Sequence, residues 1–123
     1  HDLLYVAEIE SREIIGYALG RPGLTSIAPY DSGLVALHVR RVYWRRGIGR
    51  QLVAATAIGL QAQGCTSLML WVLAENPARA FYERLGGQLI GQQQLHLGEG
   101  VTAVEVAYGW PDLITLIGNI NYL

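Results

Sequence analysis

The sequence predicts a mixed α+β fold, ordered ββ-β-α-β-α-ββ around one sheet. Three observations carry that expectation. Short runs rich in Val, Ile, Leu and Tyr recur at strand length along the chain, and one stretch between them, Ile48 to Gln63, switches to helical periodicity. Asn76-Pro77 and Gly86-Gly87 then bracket a second, shorter helix. With 123 residues, 51% of them apolar, residues 1–123 are expected to form one compact domain with its own core.

Taken in order, Leu4 to Ile9 and Glu13 to Leu19 are separated by the polar Glu10-Ser11-Arg12 and read as a β-hairpin. Pro22-Gly23 and the stretch from Pro29 to Gly33 punctuate a loop. Leu34 to Val39 follows as an apolar run, predicted to be a strand buried on both faces. Ile48, Leu52, Ala55 and Gly59 fall on one stripe of the long helix, whose small residues would let it lie close to a sheet, and Gly64 stops it. Ser67 to Leu73 is the next strand. Asn76 then offers an N-cap and Pro77 a first helical position. In the helix that runs to Leu85, Ala78, Phe81 and Leu85 share a face, which turns Tyr82 about 100° from Phe81, toward the edge of that stripe. Gln88 to Leu97 and Val101 to Tyr108 form a last strand pair around Gly98-Glu99-Gly100, and the apolar tail from Leu113 to Ile117 is expected to pack back on the domain.

The charge is small but unevenly placed. A formal net charge of −1 and a charged fraction of 15% argue against a disordered chain and against general binding to DNA or RNA. There is no lysine, and five of the arginines, Arg40, Arg41, Arg45, Arg46 and Arg50, fall within one short segment. Such a cluster suits a small polyanion better than a long one. Cys65 is the only cysteine, and no apolar run is long enough to cross a membrane, so a cytoplasmic setting is expected. The three histidines lack ligand spacing, and no metal site is expected.

The residues with chemistry begin at the join between the third strand and the long helix, where Gly47 and Gly49 sit among arginines. Glycine allows close backbone approach, and a helix N-terminus presents unpaired N–H groups and a positive dipole end, so the segment forms a cradle for phosphate. Alone, a Gly-x-Gly reads more readily as a tight turn than as a ligand site. Asn76 alone reads more readily as a cap, and Tyr82 equally as a packing residue. His38 reads more readily as a sheet or core histidine than as a base, Glu8, Glu10 and Glu13 as surface carboxylates, and Tyr30, Trp71 and Trp110 as core aromatics rather than the lining of an acceptor pocket.

In combination these residues resemble a family. Leu37-His38-Val39, then Arg45-Arg46-Gly47-Ile48-Gly49-Arg50, then the run from Glu75 through Asn76 and Tyr82 to Gly87 are similar to the two most distinctive motifs of the GNAT superfamily of acyl-CoA N-acyltransferases. The resemblance implies a GNAT-like, mostly antiparallel central sheet flanked by helices, acetyl-CoA as co-substrate and a primary amine as acceptor. Leu37, His38 and Val39 would offer backbone groups to the pantetheine arm, and Arg45, Arg46, Gly47, Ile48, Gly49 and Arg50 would hold the pyrophosphate. Asn76 would contact the arm, and Tyr82 would protonate the departing thiolate. A homodimer is among the family's habits.

The sequence departs from the pattern at Trp44, where Gln or Arg is usual, and at Trp71, where some members carry a glutamate base. The general base is therefore unassigned. No counterpart of the family's first strand and two helices precedes Leu4, which points to an N-terminally truncated chain or to completion by a partner. A degenerate CoA-binding regulatory module without transferase activity is the alternative reading.

Overall fold

The computed structural model describes residues 1–121. It contains β1 (Leu3–Glu8), β2 (Ile14–Pro22), β3 (Ser32–Val39), a 3-10 turn (Arg41–Tyr43), α1 (Ile48–Ala62), β4 (Leu68–Leu73), α2 (Ala78–Arg84), β5 (Gln88–Gly98), β6 (Val101–Trp110) and α3 (Leu113–Asn121). The strands make one six-stranded sheet in the order β1-β2-β3-β4-β6-β5. All neighbours are antiparallel except β3 and β4, which run parallel because α1 crosses over between them. The mixed, mostly antiparallel layout expected from the sequence is therefore present, with α3 added at its end: the apolar tail becomes a helix whose Leu113, Leu116 and Ile120 are buried.

The main core lies on the helix-bearing face of the sheet. Leu52, Val53, Ala57 and Leu60 of α1 meet Ala18 of β2, Leu68, Leu70 and Val72 of β4, Val106, Tyr108 and Trp110 of β6, and the buried residues of α3. The buried side of α1 is centred on Leu52, Val53, Thr56 and Leu60, so the predicted stripe was turned; Ala55 and Gly59 lie at its half-buried margin. Gly59 still performs the expected service. A Cβ there would collide with Tyr5 Oη and stand 2.9 Å from Leu3 Cδ1, so α1 crosses β1 at a distance that only glycine permits.

The opposite face is thinly covered. Tyr30, Met69 and Ala107 form a small second cluster under the loop between β2 and β3, with Ile27, Trp71 and Ile90 at its rim. Elsewhere on the molecule Leu4, Val6, Tyr17 and Val35 are exposed. Strand β3 is thus not buried on both faces as expected, since Val35 is 49% exposed. The continuous apolar run has a different cause. Leu19 pairs with Ala36 but Gly20 with Leu34, so Val35 is an extra residue bulged out of β3. The bulge restores Leu37 and Val39 to the same packed face as Leu34, which strict alternation would forbid.

Candidate active site

Among the described residues β3 and β4 share a single bridge, Gly33 to Met69. Asp31 clamps the strands at that end. Its carboxylate accepts from the N–H groups of Ser67 (2.9 Å) and Thr66 (3.0 Å) and from both hydroxyls (2.9 and 3.1 Å), while Ser32 Oγ donates to the Ser67 carbonyl at 2.5 Å. Burial raises the Asp31 pKa, but these backbone and hydroxyl donors outweigh it and hold the carboxyl below its ordinary value. Past the clamp the strands diverge. Because β2 pairs with the far edge of β3 and β6 with the far edge of β4, the two facing edges, 34–37 and 70–73, are left open across the gap. An inner cavity of about 290 Å³ fills it, lined by both edges together with Asn76, Tyr82 and Glu105. An outer cavity of about 360 Å³ continues past Trp71 and Val35 to the β2–β3 loop.

The arginine-rich turn builds the neighbouring element. Arg45 (φ 65°) and Gly47 (φ 79°) both adopt the left-handed region, reversing the chain into α1. A Cβ on Gly47 would lie 2.8 Å from Arg50 Nη2, and one on Gly49 would lie 3.3 Å from Phe81 Cζ, so the first turn of α1 is seated directly on α2. The chain's own hydrogen bonds resume at Gln51, whose N–H reaches the Gly47 carbonyl at 3.1 Å. Among the described residues nothing accepts from the preceding N–H groups, Arg45 to Arg50, as expected at a helix start. Arg41 lies over the Trp44 ring and Arg46 over the Tyr43 ring, and among the described residues Arg41, Arg45, Arg46 and Arg50 meet no carboxylate. The irregular Trp44 has a place too: its indole N–H donates to the Val39 carbonyl at 2.6 Å, bracing the end of β3 against the turn.

Helix α2 supplies the other wall. It begins at Ala78, with Pro77 already in helical geometry, and the Asn76 side-chain oxygen accepts from the Ala78 N–H at 2.8 Å. The cap expected of Asn76 is therefore formed, and its amide NH₂ remains available to the inner cavity it lines. Tyr82 is more deeply set than the helical wheel predicted, at 8% exposure, its ring packed on Phe81, Tyr108 and Trp110. The packed positions of α2, Ala78, Phe81, Tyr82 and Leu85, make one stripe at i, i+3, i+4 and i+7, so Tyr82 sits inside the buried face rather than at its edge. Among the described residues no buried side-chain oxygen lacks a partner, and Tyr82 makes no hydrogen bond; its hydroxyl therefore reaches the cavity surface. Burial raises its pKa, which keeps the phenol protonated. Beneath it, the buried Tyr108 hydroxyl donates to Glu83 (2.5 Å) and accepts from Arg79 Nε (2.9 Å), and Arg79 also donates to the Ala74 carbonyl, fixing α2 on β6.

The structure thus brings Leu37, Asn76 and Tyr82 together around the inner cavity, while none of Arg45, Arg46, Gly47, Ile48, Gly49 and Arg50 lines either cavity and Gly49 packs on Phe81, the neighbour of Tyr82 in α2. His38 is on the exposed face of β3, stacked 5.7 Å from Tyr17, and neither it nor Val39 lines either cavity. Two residues escaped the sequence reading: Asp31, which sets the vertex, and Glu105 on β6, which lines both cavities and accepts from Gln93 at 2.9 Å. Tyr30 and Trp110 are buried core, as expected, whereas Trp71 is half-buried and lines the cleft. Among the described residues no helix is long and apolar enough to cross a membrane.

A parallel strand pair splayed around a cleft, next to a glycine-turned helix N-terminus, fits the GNAT-like arrangement that the sequence resembles. Comparisons with known proteins agree and narrow the class. A family model described as FR47-like protein matches residues 24–96. Over 118 residues the chain is 32% identical to an uncharacterised N-acetyltransferase, YuaI, of Bacillus subtilis (strain 168), the match spanning 96% of this chain and 68% of the relative. The chain belongs to the FR47-like family of N-acetyltransferases. Solved structures share the fold at lower identity. The ribosomal-protein-S18-alanine N-acetyltransferase of Escherichia coli superposes with a TM-score of 0.70 at 21% identity, covering 90% of this chain and 69% of that one. The NatC complex bound to Gag peptide and CoA gives 0.72 at 22% identity, covering 88% and 70%.

Proposed function

We propose that the protein transfers an acetyl group from acetyl-CoA to a primary amine by direct attack, with Tyr82 as the general acid. The observation that carries this reading is the wedge between β3 and β4, whose open backbone edges and Tyr82 line one cavity. An extended pantetheine amide chain is chemically suited to such an edge, because it can pair with β3 much as a strand would. The unpaired N–H groups of Arg45 to Arg50, with the flanking guanidiniums, suit the pyrophosphate of the same ligand. The NatC complex, a structural relative, was solved with CoA bound.

In this mechanism an N–H of the bulged stretch of β3 stabilises the oxyanion that develops on the acetyl carbonyl. Tyr82, kept protonated by burial, gives its proton to the thiolate as the C–S bond breaks. Asn76, fixed by the cap it makes, holds the pantetheine arm through its free amide. A cytoplasmic setting suits the free thiol of Cys65.

Two measurements test the reading. Titration calorimetry should detect acetyl-CoA binding that is lost in Gly47→Glu, where a side chain must take up a φ of 79° and displace Arg50. Release of CoA thiol on adding amines then separates a transferase from a CoA-binding module. Binding without turnover on any amine would leave only the module; no binding at all would reject both.

A further inference from the structure

The two cavities meet at a common wall made of Leu34, Val35, Leu70, Trp71 and Glu105. If the donor thioester lies in the inner cavity beside Tyr82, the amine must approach the carbonyl across this wall from the outer one. Only one of its five residues is ionisable. Glu105 stands on β6 opposite Leu73, two positions along from the pair formed by Trp71 and Ala107, so it shares the cleft-side face with Ala107 while Val106 points to the core. One of its oxygens is fixed by Gln93 on β5. The other has no partner among the described residues. Trp71 is oriented as well, its indole N–H donating to Ser26 Oγ at 3.0 Å.

The remaining charge in the lining is already matched. Arg21, at the far end of the outer cavity, is paired in bidentate fashion with Asp2 at 2.9–3.3 Å. The acceptor side of the cleft therefore presents one uncompensated negative charge beside an aromatic face. Both features select a cation.

We propose that Glu105 is the acceptor-side catalytic carboxylate, which binds the ammonium of a small cationic amine and takes its proton, in the role that Trp71 cannot fill one strand away. This rests on the acetyltransferase reading above. The step balances as follows. R–NH₃⁺ gives one proton to Glu105, which passes it to solvent. The freed lone pair forms the C–N bond as the C–S bond breaks, and the sulfur takes the Tyr82 proton. The second N–H proton returns to the Tyr82 phenolate. The products are the N-substituted acetamide, CoA thiol and one proton. A carboxylate close to the reacting amine would be repelled by Glu105 without a free arginine to receive it, so the expected acceptors are amines on neutral or cationic bodies.

The test uses butylamine, 1,4-diaminobutane and 4-aminobutanoate, equal in chain length and differing in the charge of the tail, with thiol release as the readout. The wild type should acetylate the diamine best and 4-aminobutanoate worst, at least about tenfold apart. Glu105→Gln should lower kcat/KM for the diamine by about 100-fold, the lower range for loss of general base catalysis. Acetyl-CoA affinity should stay within twofold, and Glu105→Asp should recover part of the loss. Unchanged kcat/KM in Glu105→Gln, preference for 4-aminobutanoate, or turnover of none of the three overturns the assignment. Acetyl-CoA titration of the same samples reports separately on the donor: binding retained while the assignment fails leaves the earlier reading standing, and absence of binding removes both.

Discussion

Replacing Tyr82 with Phe removes one oxygen and leaves nearly everything else in place. The ring packs on Phe81, Tyr108 and Trp110 with centroids 5.4–6.3 Å away, contacts that phenylalanine keeps. The hydroxyl holds no hydrogen bond within the described residues, so folding stability should change by less than about 1 kcal/mol. Acetyl-CoA affinity, carried by backbone edges and the arginine turn, should also be kept. Turnover should fall by about 10²- to 10⁴-fold, because the thiolate would leave without its proton donor, which corresponds to about 3–5 kcal/mol of barrier. The pH dependence gives a second readout. Burial raises the Tyr82 pKa above the ordinary tyrosine value, so wild-type turnover should hold through neutral pH and fall only above the ordinary tyrosine range, as the phenol ionises. The variant should lack that alkaline limb. Steady-state thiol release from pH 7 to 11, with thermal melting as a control, measures both. Wild-type turnover in a folded Tyr82→Phe would remove the tyrosine from the chemistry.

Asp31→Ala should destabilise the fold by about 2–3 kcal/mol, since it strips four donors of a charged acceptor at the β3–β4 vertex, and chemical denaturation would register it. The Asp31 carboxyl is held below its ordinary value, so its contribution is present above the unfolded pKa of about 3.9 and disappears as pH falls through the folded value. The wild type should therefore lose more stability than Asp31→Ala between pH 5 and pH 2. Arg50→Ala should weaken acetyl-CoA binding and flatten its dependence on salt, because among the described residues the turn's guanidiniums meet no carboxylate. Titrations at low and high ionic strength would show the change in slope.

Much of this arrangement was legible in the sequence, and the reasons differ by residue. Gly47 and Gly49 beside a helical run marked the turn because φ above zero and close approach are properties of glycine itself. Asn76-Pro77 marked the start of α2 for a similarly local reason, and the Asn76 cap is made. The strands were found to within a few residues because alternation and β-branching are local. What escaped depends on partners. The bulge at Val35 exists only through the register with β2, so Leu34 to Val39 looked like a strand buried twice. Tyr82 reads as the edge of a stripe when the face is drawn through Ala78, Phe81 and Leu85 alone, but the buried face of α2 is wide enough to take in the i+4 position as well. Asp31 lies in the loop from Pro29 to Gly33, where nothing local marks it, and only the fold brings Thr66 and Ser67 to it from the other side of α1. Glu105 is a single carboxylate in an otherwise largely apolar strand, and only the divergence of β3 from β4 gives its side chain a cleft to face.

The account depends most on the open edges of β3 and β4 being the donor site, and backbone amide shifts on titration with acetyl-CoA test that directly. The largest perturbations should fall on 35–37, on Gly47 to Arg50 and on the neighbourhood of Asn76 and Tyr82, with the outer edges of β1 and β5 unmoved. Saturable binding that leaves those amides unchanged and shifts another surface would contradict it.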